Sequence, residues 1–267
     1  VAFPFERIRS MLIDLDGVLY RGSTALPDAA EFVSWLRDRN LTFRLVTNNA
    51  TLTPEQYVEK LTDIGIKVES EEVFTSALAT ALYLRREGAD GQTAYTIGET
   101  GLLSALAAAG VRASADRPDW VVAGLDRTLT YDKLATAALA INAGARFVGT
   151  NPDTSLPTER GLLPGAGAIQ AAITAATGVR PTVVGKPQPL MLELALESMG
   201  ASRDETAMLG DRLNTDIQGA AAVGMRSILV LTGVSTRAEL TVSSVQPDLV
   251  VDSLTELMAD WSSGVKA

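Results

Sequence analysis

Short apolar runs alternate with longer amphipathic or Ala-rich stretches along almost the whole of this 267-residue chain. Strand-like and helix-like segments in such alternation point to an α/β fold around a largely parallel, doubly wound sheet. The pattern predicts strands over 10–15, 42–46, 94–97, 120–123, 146–150, 182–184, 206–209, 228–231 and 249–251. It predicts helices over 28–39, 76–88, 102–109, 131–143, 166–177 and 189–199. Capping chemistry marks several starts: Asp28 with Glu31, Thr53 with Gln56 around Pro54, and Ser253 with Glu256 before a last helix. Ser202 to Glu205 resembles a capping box too, but the next strand follows too soon for a full helix.

Glycines 88, 91 and 178 and Pro181 punctuate the middle of the chain, which reads as a small α/β unit of its own. The expected organisation is a discontinuous core domain over 1–80 and 182–267, with a second domain inserted over 81–181. At 46% hydrophobic and 21% charged residues the chain is an ordinary globular protein. Its net charge of -9 argues against a nucleic-acid surface and against a basic membrane patch. No basic segment followed by an apolar stretch opens the sequence and no run is long enough to span a membrane, so the expected location is cytoplasmic.

The chain has no histidine and no cysteine. Any catalysis must therefore use carboxylates, lysine, hydroxyls or a metal. Four clusters each follow a predicted core strand: Asp14 and Asp16; Thr47-Asn48-Asn49; Gly185-Lys186-Pro187; and Gly210-Asp211 with Asp216. Each has an ordinary reading alone, as a turn, an Asx-turn, a solvated charge or a commonplace dipeptide. In a parallel sheet, however, the four ends converge on one edge. Crowded carboxylates need a cation, and hard oxygen ligands suit Mg²⁺. Lys186 would add a phosphate pocket; it is one of only five lysines against eighteen arginines, a choice that favours a compact point charge.

Asp14-Leu15-Asp16-Gly17-Val18-Leu19-Tyr20-Arg21-Gly22, Thr47-Asn48-Asn49, Gly185-Lys186-Pro187 and Gly210-Asp211-Arg212-Leu213-Asn214-Thr215-Asp216 resemble, in order, the four motifs of haloacid-dehalogenase-superfamily phosphatases. The insertion resembles the larger, C2-type α/β cap of the NagD-type branch on a Rossmann-like core. Thr150-Asn151-Pro152-Asp153 and Pro164-Gly165-Ala166-Gly167 resemble that cap's substrate-facing segment. The resemblance implies an Mg²⁺-dependent hydrolase of small phosphomonoesters, such as 4-nitrophenyl, phosphoglycolate, sugar or nucleotide phosphates. In it Asp14 is the nucleophile that forms an aspartyl-phosphate, and Asp16 is the general acid and base, with a raised pKa. Asp14, the Asp16 carbonyl and Asp211 would bind Mg²⁺, with Asp216 and Asn214 supporting them from outside. Thr47, Asn48, Asn49 and Lys186 would hold the phosphoryl group. The cap would close over the site, with Asn151, Asp153 and Ser155, and more remotely Glu159, as substrate-contacting candidates. Pairing of two copies through the cap is an expectation from analogy.

Two departures bear on the branch. Ala50 stands where the family often carries a hydroxyl residue, and no cap histidine is available, which tells against a pyridoxal-phosphate substrate. Two rivals share the chemistry: a receiver-type signalling module that retains its phospho-aspartate, and a phosphomutase on the same scaffold. Receivers lack an inserted domain and the second carboxylate after the nucleophile. Gly98-Glu99-Thr100-Gly101 is only a partial dinucleotide fingerprint.

Overall fold

The computed structural model describes residues 3–158 and 160–263. It contains two compact units. The first takes the described residues up to Thr47, then Glu55–Phe74, then those from Lys186 onward; the second takes Asn48–Pro54 and Thr75–Gly185. The division expected at 81 and 181 thus moves outward, and a short segment after Thr47 joins the second unit. Packing explains that segment. The Gly101 amide donates to Thr51 O (2.9 Å), and a Cβ on Gly101 would lie 2.3 Å from Leu52 O. The start of the Thr100–Ala108 helix therefore rests directly on the backbone of 51–52.

The first unit is built on a six-stranded sheet in the order Leu249–Val251, Arg226–Val230, Thr206–Gly210, Ser10–Ile13, Thr42–Thr47, Val73–Thr75. Ser10–Ile13 pairs in parallel with both of its neighbours, and the two pairings beyond Thr206–Gly210 are parallel as well. All four residues of Ser10–Ile13 are buried, as a strand covered on both faces requires. From this strand the chain first builds outward through Thr42–Thr47 and Val73–Thr75. It later returns to the other side through Thr206–Gly210. The order reverses between Ser10–Ile13 and Thr206–Gly210, and a crevice at such a switch point is where open α/β sheets bind ligands.

The flanking helices follow the sequence pattern. Ala29–Asp38 buries Phe32, Val33 and Leu36, and Pro189–Met199 buries Met191, Leu192, Leu194, Ala195 and Leu196. Leu254–Ser263 joins the end of the chain to its start, with Trp261 edge-on to Trp35 (5.4 Å) and 5.0 Å from the Phe5 ring. The box expected at Asp28 does not form. Asp28 has φ +62° and no capping bond; its carboxylate instead accepts from the Thr255 hydroxyl, a contact 227 residues away in sequence that local pattern cannot anticipate. Ser253 does cap the last helix, through the Glu256 amide (3.1 Å).

The second unit has its own five-stranded sheet, parallel throughout, in the order Thr182–Val183, Arg146–Gly149, Trp120–Ala123, Thr93–Ile97, Arg112–Ala113. Ala137 and Ile141 from the Tyr131–Asn142 helix and Ile169 and Ile173 from Ala166–Thr177 pack on Val121, Ala123 and Phe147. Two features differ from the sequence reading. Thr182–Val183 pairs with Arg146–Gly149 and so belongs to this sheet rather than to the core sheet. The stretch around Ser155, read as a loop, is an antiparallel ribbon of Ser155–Thr158 against Gly161–Pro164. Among the described residues no helix is long and apolar enough to cross a membrane.

Candidate active site

Three strand ends of the core sheet and one connection supply the site. The Asp14 amide donates to Leu209 O (2.8 Å), which extends the pairing with Thr206–Gly210 one residue beyond Ser10–Ile13. The chain turns only after Asp14, so its side chain stands at the carboxyl edge of the sheet. The turn itself closes through the Gly17 amide to Tyr20 O (2.8 Å) and the Leu19 amide to Leu15 O (2.9 Å). Gly17 has φ +87°, and a Cβ there would lie 2.4 Å from Asp211 Oδ2. Only glycine satisfies both the backbone and the space.

Lys186 is the centre of the arrangement. It is 2% exposed, and its Nζ donates to Asp14 Oδ1 (2.6 Å), Asp216 Oδ1 (2.7 Å) and Val46 O (3.1 Å). The ammonium thereby ties three strand ends together, since Val46 precedes buried Thr47 at the end of Thr42–Thr47. Lys186 enters from the segment that leaves the second unit, not from a fourth core strand as the sequence suggested. Asp216 lies on the π-type turn Leu213–Ile217. Its second oxygen, Oδ2, accepts from the Arg212 amide (3.1 Å).

Asp211 differs from its neighbours. It is fully buried, and its Oδ2 accepts from the Val234 amide (2.7 Å). Its Oδ1 is buried without a hydrogen-bond partner. Carboxylate oxygens of Asp14, Asp211 and Asp216 lie within 4.8 Å of one another. Three acidic groups thus share one ammonium, and the electrostatics reflect it. Burial raises the Asp14 carboxyl, and Asp216 and Asp211 push it further up against the pull of Lys186. Burial also raises Asp211, reinforced by Asp216 and opposed by the Val234 amide. Burial alone would lower Lys186, but its two carboxylates hold it above an ordinary lysine. An orphaned buried oxygen in a carboxylate-rich pocket is the donor set of a hard divalent cation, which would favour the ionised forms of Asp14 and Asp211.

Asp16 follows Asp14 by two residues and is exposed. The surrounding protein raises its carboxyl, while Lys60, Arg212 and Arg21 pull it down. The direction is the one expected for a proton donor. Its carboxylate is not among the converging oxygens, so a metal contact from Asp16 would fall to the backbone carbonyl.

Asn214 is exposed on the π-type turn, and none of the hydrogen bonds that fix Asp211 or Asp216 comes from its side chain; the support comes from the Val234 amide and from Ser235, whose Oγ accepts from the Leu213 amide (3.0 Å). Residues 233–235 were not singled out from sequence, although Gly233 closing a strand was the available signal. Asn48, Asn49, Asn151, Asp153 and Ser155 belong to the second unit. There Asn48 Nδ2 donates to Asp153 Oδ2 (3.1 Å), and Asn151 Nδ2 donates to Asn48 O (2.7 Å). Asn49 Oδ1 accepts from the Thr51 amide and hydroxyl (both 2.8 Å), an Asx-turn. Ser155 is exposed at the start of the ribbon, and Glu159 lies outside the described residues.

The chain is similar to known proteins over most of its length. Residues 11–112 match the family described as haloacid dehalogenase-like hydrolase, and residues 183–257 match a related HAD-hydrolase-like family. The chain is 42% identical over 248 residues to the 5'-nucleotidase YutF of Bacillus subtilis, covering 93% of this chain and 96% of that protein. It is 44% identical over 256 residues to an acid sugar phosphatase of Staphylococcus aureus, covering 96% and 98%. Among solved structures, NagD from E. coli aligns with a TM-score of 0.88 at 37% identity, over 93% of this chain and 98% of that one.

Proposed function

The chain belongs to the haloacid dehalogenase-like hydrolases, as a NagD-type phosphatase acting on small phosphorylated substrates, and on that premise we propose that it is an Mg²⁺-dependent phosphomonoesterase working through an aspartyl-phosphate on Asp14. The observation that carries this reading is the buried Lys186 bridging Asp14 and Asp216 beside the orphaned oxygen of Asp211.

Asp14, the Asp16 backbone carbonyl and Asp211 would hold Mg²⁺, which when bound stabilises charge on the phosphoryl oxygens. Lys186 and Thr47 position the phosphoryl group and balance its charge. An Asp14 oxygen attacks phosphorus, the ester P–O bond breaks, and Asp16 gives its proton to the leaving oxygen. Water then attacks the same phosphorus and passes a proton to Asp16; the bond to Asp14 breaks, and inorganic phosphate leaves. Asp216 keeps Lys186 in place, since both of its oxygens are occupied by the chain's own donors. The substrate class is a small phosphorylated metabolite, with nucleotide and sugar phosphates supported by the names of the relatives.

Hydrolysis of 4-nitrophenyl phosphate tests this. Asp14→Asn is expected to lower kcat by about 10³-fold or more with circular dichroism unchanged. Asp16→Asn is expected to slow alkyl phosphates by about 10²-fold or more, and 4-nitrophenyl phosphate much less, because that leaving group needs no proton. Substantial turnover by Asp14→Asn would end the proposal.

A further inference from the structure

The neighbourhood of Asp16 holds more positive charge than hydrolysis of the ester bond uses. Lys60, one of five lysines in a chain of net charge -9, is half-buried on the Pro54–Asp63 helix. Its Nζ lies 3.9 Å from the centroid of the Tyr20 ring. Tyr20 is bound to the catalytic turn: its carbonyl accepts from the Gly17 amide, and it bridges to Asp16. Arg21 follows and is anchored on Thr232 O. Arg212, also half-buried, follows Asp211 directly. All three cations act on the Asp16 carboxyl, Lys60 most strongly.

Of the other basic groups that are not exposed among the described residues, Lys186 and Lys133 have acidic partners, and Arg44 donates to Phe43 O (3.1 Å). Lys186 has two, and Lys133 pairs with Asp126. Among the described residues neither Lys60 nor Arg212 forms an ion pair. Burial lowers the Lys60 ammonium from its ordinary value, and only Asp16 works against that. A desolvated cation held against a ring face, beside the group that meets the leaving oxygen, favours an anion supplied from outside.

We propose that Lys60 and Arg212 recognise a second anionic group on the leaving half of the substrate, so that the preferred phosphomonoesters carry a carboxylate or a further phosphate close to the ester oxygen. This rests on the hydrolase reading above. A role limited to supporting Asp16 would affect all esters alike, which separates the two.

The test compares matched substrates. One pair is 2-phosphoglycolate against 2-hydroxyethyl phosphate, which differ by the carboxylate. The other is propane-1,3-diol bisphosphate against its monophosphate, which differ by a phosphate. The unaltered protein is expected to prefer the anionic member of at least one pair by about tenfold in kcat/KM, the size of one charge-assisted contact. Which pair responds identifies the group. Lys60→Met and Arg212→Gln should each lower that ratio severalfold, mainly through KM, and Lys60→Arg should keep it. Hydrolysis of 4-nitrophenyl phosphate with no preference within either pair, or a preference that survives both variants, overturns the recognition alone. No hydrolysis of any ester overturns the phosphatase reading with it.

Discussion

At the scale of single residues the site is defined by unequal satisfaction. Asp216 has a donor on each oxygen, whereas Asp211 has one on Oδ2 and none on Oδ1. That asymmetry separates the carboxylate that supports from the one that waits for a cation, a difference the repeated aspartates of the sequence could not express. It yields a prediction of two signs. Asp211→Asn removes one of three crowded negative charges, so the metal-free protein should melt no lower than the parent. The same substitution should abolish the rise in melting temperature produced by Mg²⁺ and lower turnover by about 10²-fold or more. Thermal melts with and without Mg²⁺ read the first effect. Gly17→Ala is expected to fail differently, because its methyl would meet Asp211 Oδ2 and its backbone is left-handed. Both activity and stability should fall, the latter by about 1–3 kcal/mol.

At the scale of elements, strands and long helices were legible because their signals are local. The helices Tyr131–Asn142 and Ala166–Thr177 are Ala-rich, and Pro189–Met199 opens on a first-turn proline. What escaped the sequence either lacked a periodic signal or was set by a distant partner. The Ser155–Thr158 ribbon contains Pro157 and no period-2 pattern, and Asp28 gives its carboxylate to the far end of the chain. Asp126 is an element-scale device that pattern also missed. Its carboxylate accepts from Lys133 Nζ (2.6 Å) and from the Thr128 amide and hydroxyl (2.8 and 2.7 Å), binding the loop after Trp120–Ala123 to the Tyr131–Asn142 helix. Burial would raise this carboxyl, but its donors prevail and hold it below the usual carboxylate value. A depressed folded-state pKa gives stability that is present above the unfolded-state value, about 4 for aspartate, and lost as pH falls through the folded one. Denaturant melts should therefore show Asp126→Asn less stable than the parent at pH 7 by about 1–3 kcal/mol. The difference should shrink below about pH 4. A gap that stays constant with pH would contradict the assignment.

At the scale of the whole molecule, the discontinuous plan was legible from punctuation, but its boundaries were not. Glycine and proline mark where elements stop, not which unit a segment packs against; 48–54 and Thr182–Val183 go with the second unit through contacts and strand pairing that only the folded chain reveals. The convergence of Asp14, Lys186, Asp211 and Asp216, residues up to 202 positions apart, was legible because a parallel sheet brings its carboxyl ends to one edge whatever the chain between them does. The central claim is that this edge transfers a phosphoryl group to Asp14. Rapid acid quench of the protein with radiolabelled substrate, followed by peptide mapping, tests it most directly. The expected result is an acid-stable, hydroxylamine-labile label on Asp14, absent in Asp14→Asn; steady turnover with no such label, or a label on another residue, would contradict it.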